Sequence, residues 1–337
     1  MSEPERTYLV ESPLQVLCAN EARHHFGPGT EDRLVVLMPG EERARSQIER
    51  TIAFTAWGDV RRLPARRATN HLTRWRRLTQ LAGEGVADLW VGDYSSPLMR
   101  AAAGDGPLQL LDDGMATLTV NQRRRQRAAG EAEVEVIARP RHVLATKQVL
   151  ARLVGLARPE PEVVRYFTMY PLSAPAGDEV ISNDFGWLRH VMTGRRVCDD
   201  ALFLGSSFAD LGGTDSSAWA SLTRAACADL GTTVHYLPHR RESARVSARV
   251  ASEGIALSAL EGPVEVDLAE AEELPRVVAA FFSTALHTLA RVLPPEVELR
   301  AFRIPAELVS PLWRDRLERI YDDLPTLTGG RVVVTDL

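Results

Sequence analysis

An α/β protein of two successive parallel-sheet halves is what the sequence predicts. Three features point there. Short apolar runs alternate with helical stretches from end to end, the pattern of strands joined by crossover helices. Turn-forming Pro171, Pro175 and Gly177 cluster midway. The length of 337 residues is enough for two ordinary domains.

The strands of the first half are Thr7 to Val10, Leu34 to Met38, Val86 to Val91, Leu108 to Leu111 and, last, Val163 to Phe167. Ser12-Pro13 after the first is a helix start, because proline lacks the N–H that a first helical position cannot use. A charged helix is expected over Glu41 to Thr55. The boundary falls at the Pro/Gly cluster, giving domains 1–174 and 175–337. In the second half, strands are expected at Glu179 to Ser182, Ala201 to Leu204, Thr233 to Leu237, Val264 to Val266, Val277 to Phe282 and Leu299 to Phe302. Helices fit Ser216 to Leu230, Glu242 to Ser252, Thr284 to Leu293 and Pro305 to Leu324, the last with Trp313, Leu317 and Ile320 as a core stripe.

Two Rossmann-like halves place their ligand loops at C-terminal strand ends. Two such domains facing each other across a cleft make the GT-B layout of many glycosyltransferases, although a dehydrogenase or a sugar epimerase has the same pattern. The apolar share of 45%, charged share of 25% and net charge of −5 fit a globular protein with no global attraction to nucleic acid. No run reaches the roughly 18 apolar residues of a membrane helix. The polar start and three scattered cysteines (Cys18, Cys198 and Cys227) predict reduced thiols in the cytoplasm and no structural zinc.

Several strand ends carry candidate chemistry. Asp112-Asp113-Gly114 ends an apolar run. Adjacent carboxylates repel, so one holds its proton tightly and suits a general base toward a hydroxyl; the same string fits an Asx turn or a helix N-cap. Pro238-His239-Arg240-Arg241-Glu242 follows the strand at Thr233 to Leu237. There His239 and Arg240 suit a phosphate-bearing ligand, and a solvated basic loop leading into a helix is the alternative. Ser283 and Thr284 open a helix after Phe281-Phe282 and offer an anion site or a plain cap. His287, one turn on, reads as a packing histidine. Softer features are Ser12 and Gln15 at the first strand–helix junction, Asp93 in Gly92-Asp93-Tyr94-Ser95, and Gly205-Ser206 in a loop that could lie against a nucleotide. The arginines of Gln122 to Arg127 read as a solvated helix face.

In this order, the strings Val10 to Gln15, Gly92 to Ser95, Leu111 to Gly114, Pro238 to Glu242 and Ser283 to Leu286 resemble bacterial sialyltransferases and polysialyltransferases. The closest groups are the polysialyltransferase-like proteins and glycosyltransferase family 52. The resemblance implies a metal-independent, inverting transfer of a sialic-acid-like sugar from a CMP-activated donor to a glycan or glycolipid acceptor. No cofactor is implied. Asp112 or Asp113 would take the acceptor proton, with Asp113 preferred, and the first domain would carry this base. His239 would bind and stabilise the departing CMP phosphate, and Ser283-Thr284 would grip it. Polysialyltransferases place Pro after this His; here Pro238 precedes it. A homodimer and a peripheral membrane contact at a lipid-linked acceptor are left open. Other donors on the same scaffold, CMP-Kdo or a UDP-sugar, and a non-catalytic nucleotide-sugar-binding protein are the alternatives.

Overall fold

The computed structural model describes residues 6–27, 32–63, 88–103, 106–131, 161–258 and 262–337. The chain divides into two units, Met1–Gly186 and Trp187–Leu337.

The first unit starts with β1 (Arg6–Val10), α1 (Pro13–His25), β2 (Arg33–Leu37), α2 (Glu42–Thr55) and β3 (Asp59–Leu63). It continues through β4 (Asp88–Val91), α3 (Pro97–Ala103), β5 (Leu108–Leu111), α4 (Met115–Ala128), β6 (Val164–Thr168) and β7 (Glu179–Ser182). Every pairing between these strands is parallel, in the order β3-β2-β1-β4-β5-β6-β7. The central strands are buried on both faces, which is why β1 and β2 read as near-continuous apolar runs. Leu9, Val35, Val91, Leu110 and Tyr166 pack together in one core cluster. At the start of α1, Ser12 accepts a hydrogen bond from the Gln15 N–H at 3.3 Å and Pro13 occupies the first turn.

The division falls at the first residue of α5 (Gly186–Met192), and the second unit continues through β8 (Arg196–Leu204), α6 (Ser216–Asp229), β9 (Val234–Leu237), α7 (Ala244–Ser252) and β10 (Ala256–Leu257). After these come α8 (Val264–Glu270), β11 (Glu273–Ala280), α9 (Ala285–Val292), β12 (Glu298–Arg303), α10 (Arg314–Leu327) and β13 (Val332–Asp336). Its sheet is also parallel, in the order β10-β9-β8-β11-β12-β13. Phe203, Trp219, Tyr236, Phe281 and Phe302 form its aromatic core.

Several expectations change. The strand expected at Glu179 to Ser182 exists, but it extends the first sheet through pairs such as Tyr166↔Val180. Pro171, Pro175 and Gly177 therefore lie in the β6–β7 connection, and the division falls after Gly186 rather than at 174. Val264 to Val266 is the first turn of α8, not a strand. The Val-Glu-Val-Asp-Leu alternation imitates a period of two, while all of Val264 to Ala269 is buried. The last helix begins nine residues later than expected: Ala306–Leu308 is a 3₁₀ turn, and Pro311 lies ahead of Arg314. In its stripe Leu317 is buried, whereas Trp313 and Ile320 are half-buried. Residues 86 and 87 of the strand expected at Val86 to Val91 lie outside the described residues. All three cysteines are free. Among the described residues, no helix is long and apolar enough to cross a membrane.

One arginine of the basic run is committed to the fold. Arg124 on α4 makes paired bonds of 2.7 Å to both oxygens of Asp178 and also reaches the carbonyls of Pro161 and Glu162. The Asp178 side chain is 1% exposed and accepts a further bond from the Val164 N–H at 2.8 Å. Removing the guanidinium leaves this buried carboxylate without its counter-charge. Arg124→Ala is expected to cost about 3–5 kcal/mol of stability in urea unfolding, the scale for a broken buried ion pair; a loss below about 1 kcal/mol would mark the pair as a surface contact.

Candidate functional site

In doubly wound sheets, ligands bind outside the C-terminal strand ends where the strand order reverses. In the first sheet that point lies between β1 and β4. Glu11 and Ser12 follow β1, Gly92 and Asp93 follow β4, and Asp112 and Asp113 follow β5.

The two adjacent aspartates have different fates. Asp112 is fully buried. One of its oxygens accepts from Thr168 Oγ1 at 2.8 Å and the other from the Met169 N–H at 2.6 Å. It clamps the end of β5 to the end of β6, and its oxygens are already engaged. Asp113 is half-buried. Its Oδ1 accepts from Gln15 Nε2 at 2.8 Å, and Gln15 Oε1 in turn accepts from the Glu11 N–H at 2.8 Å. Gln15 is wedged against Gly92, where a Cβ would lie 2.2 Å from Oε1. Asp93 accepts from the Ser95 N–H and Oγ at 2.7 and 2.6 Å. Ser12 serves as the cap of α1.

Burial pushes the Asp113 carboxyl up to about 7, the Asp93 carboxylate adds to the rise, and the Gln15 hydrogen bond opposes it. Glu11 and Asp112 raise it further. A carboxyl so placed exchanges its proton near neutral pH, as a general base must. Neither aspartate caps α4 with its side chain. Gly114 holds the cap position at φ 60° and ψ −140°, a turn that a Cβ would strain.

In the second sheet the order reverses between β8 and β11. Leu204 pairs with both Leu237 and Ala280, so the ends of β9, β8 and β11 stand level. Gly205-Ser206, Pro238-His239-Arg240 and Ser283-Thr284 are thereby brought to one sheet edge. His239 is half-buried, its Nδ1 accepts from the Arg241 N–H at 3.2 Å, and its carbonyl accepts from the Glu242 N–H at 2.8 Å. With Nδ1 an acceptor, the ring proton of the neutral imidazole sits on Nε2. Ser206 Oγ accepts from the Phe208 N–H, a local turn contact. Ser283 Oγ accepts from the Ala285 N–H at 3.2 Å at the mouth of α9, and Thr284 is exposed there. His287 is buried and pushed down to about 4 by burial, so it is neutral at physiological pH, as a packing histidine is.

Sequence reasoning missed the groups that hold these residues: Thr168 for Asp112, and Tyr236 and Glu242 behind His239. Among the described residues, no group of three or more His, Cys, Asp or Glu side chains could hold a metal ion.

No family model and no curated protein matches the chain. Solved structures do. The S. aureus MnaA–UDP structure is similar at a TM-score of 0.55 and 10% identity, over 98% of this chain and 91% of that one. The fold is GT-B: two Rossmann-like, parallel-sheet α/β domains. A Listeria monocytogenes protein described as a UDP-N-acetylglucosamine 2-epimerase is similar at a TM-score of 0.52 and 11% identity, covering 98% of this chain and 90% of that one. E. coli heptosyltransferase WaaC with ADP is similar at 0.45 and 14%, covering 96% and 99%.

The raised Asp113 carboxyl has a thermodynamic signature. Between its ordinary value of 3.8 and about 7, the folded chain keeps a proton that the unfolded chain releases. Stability therefore falls as pH rises through that window, and the penalty is complete above 7. Asp113→Asn cannot ionise, so its Tm is expected to exceed the parent's by several degrees at pH 8, with the gap closing by pH 4. About 1 kcal/mol moves Tm by roughly 2–4 °C at this domain size. Calorimetry at the two pH values checks it, and a gap that is equal at both would refute it.

Proposed function

We propose that the chain is an inverting glycosyltransferase that moves sialic acid, or a related nonulosonic acid, from a CMP-activated donor to a glycan or glycolipid hydroxyl. The observation that carries this reading is Asp113: a half-buried carboxyl at the reversal point of the first sheet, raised to about 7 and held by Gln15. The CMP donor and the sugar class rest on the ordered motifs of the sequence. The GT-B fold is compatible with nucleotide-sugar chemistry.

In this reading Asp113 takes the proton of the acceptor hydroxyl as its oxygen attacks the anomeric carbon. The bond to the CMP phosphate oxygen breaks in the same displacement, which inverts the anomeric centre. Negative charge grows on the departing phosphate. Donors fixed in advance at that charge stabilise the transition state more than the ground state. His239 through Nε2–H, Arg240, Ser283, Thr284 and the positive end of α9 supply them in the second unit. Asp112 takes no proton; it holds Asp113's strand end in place. Asp93 raises the base's affinity for its proton.

A UDP-sugar donor is the second reading, favoured by the likeness to the UDP-bound S. aureus structure. Calorimetric titration with CMP and with UDP separates the two, and tighter UDP binding overturns the CMP reading. Asp113→Asn is expected to lower kcat by about 10²–10⁴-fold, the usual contribution of a general base, with donor KM little changed. In the parent, kcat/KM is expected to rise with pH up to about 7 as Asp113 ionises. Undiminished turnover by the Asn variant would remove Asp113 from the chemistry.

A further inference from the structure

Behind the His239 turn lies a buried polar network that the proposed chemistry does not use. Glu242 is 8% exposed. Its Oε2 accepts from the Tyr236 hydroxyl at 2.7 Å and its Oε1 from Ser247 Oγ at 2.8 Å. Tyr236 is fully buried, and its hydroxyl accepts from Trp219 Nε1 at 3.3 Å. The Glu242 N–H closes the turn on the His239 carbonyl, and the Arg241 N–H within that turn bonds His239 Nδ1. Next along, Ser243 is tied through its N–H and Oγ to Asp210, at 2.8 and 2.6 Å.

The network also sets what can stand at position 205. A Cβ there would lie 2.5 Å from the Tyr236 hydroxyl and 2.6 Å from Glu242 Oε2. Gly205 thus lets the β8 loop close over the Tyr236–Glu242 bond. A carboxylate with both oxygens engaged and its surface buried is not placed to contact a ligand. It is placed to fix the turn that follows it back to His239.

We propose that Glu242 is the positioning residue of His239: its bonds to Tyr236 and Ser247 lock the 239–242 turn and so hold the imidazole in one orientation, with Nδ1 engaged and Nε2 carrying the proton. This rests on the transferase reading only for the purpose of that orientation, namely presenting Nε2–H to the departing phosphate. The orientation itself is a property of the uncomplexed chain. Buried polar networks that are fully satisfied rigidify what they hold, and a catalytic group must be held to within a fraction of an ångström to be productive.

The test is nuclear magnetic resonance on histidine-labelled protein at about pH 8, above the ordinary imidazole pKa near 6.5, with His239 assigned from His239→Gln. In the parent, the His239 ring nitrogens should report a single tautomer with the proton on Nε2. In Glu242→Ala they should move toward the averaged values of a free imidazole, and ring relaxation should show added motion. His190 and His235, in the same unit, should stay unchanged. Glu242→Gln keeps an acceptor oxygen and the side-chain shape and should restore the parent signals, which a general loss of stability would not do. If Glu242→Ala does not fold, Tyr236→Phe removes the hydroxyl and keeps the ring, and the same shift is expected.

An unchanged His239 in the folded Ala or Phe variant overturns the proposal. Turnover with a CMP-sugar separates the two readings. An active parent should lose about 10–100-fold in kcat with Glu242→Ala at similar donor KM, the scale of a misplaced catalytic group. Ring shifts that respond in a protein without transferase activity would leave the positioning role standing and remove the transferase reading.

Discussion

Parallel register is the constraint on which the rest of this structure depends. Each sheet is wound outward in both directions from its first strand, and neighbouring strands end level: Leu204 beside Leu237 and Ala280 in the second unit, Val91 beside Leu9 and Leu110 in the first. Residues separated by tens of positions in sequence therefore reach one edge without special loops. The helices that follow have their N-termini at the same edge, which adds favourable dipole ends for anions. Chemistry collects at this edge, rather than at the opposite one where loops also converge, because here the helices begin and turn their free N–H groups toward a ligand.

Within that frame, the aspartate pair shows how neighbours in sequence can be given opposite tasks. Asp112 is neutralised as a chemical participant by two donors from the next strand. Asp113 is left with one donor, from a glutamine whose own position is fixed by a backbone N–H and by the bare face of Gly92. The environment, not the residue type, lifts the Asp113 carboxyl to about 7. His239 follows the same logic in the other unit, with a backbone donor on one ring nitrogen and a buried glutamate behind the turn.

The legibility of this arrangement in the sequence tracked the range of its contacts. Thr7 to Val10 and Leu108 to Leu111 were readable because strands buried on both faces are near-continuous apolar runs, with Gln109 the one interior polar interruption, and Ser12-Pro13 because a cap is a local event. The polar edge strand β3 (Asp-Val-Arg-Arg-Leu) and the two-residue β10 have no such run. Helix α8 imitated a strand because seven residues are too few to separate the two periods. The candidate positions at strand ends could be named from sequence. The division of labour between Asp112 and Asp113 could not, because the clamp on Asp112 comes from Thr168, 56 residues away. Likewise, Glu242 read as a helix start, since only its packing against Tyr236 and Gly205 shows what it holds.

The annexation of β7 by the first sheet bears on how the chain can be cut. A fragment ending in the Pro/Gly cluster would strip β7 away and leave β6, whose Tyr166, Phe167 and Thr168 are buried, as an open edge. Unsatisfied strand edges of that composition recruit other strands, so such a fragment carries a built-in tendency to self-associate. Carried through to Gly186, the same unit ends on a strand whose four residues are exposed or half-buried, a border already suited to water. The connection that looks like a linker is thus part of the sheet's own edge protection.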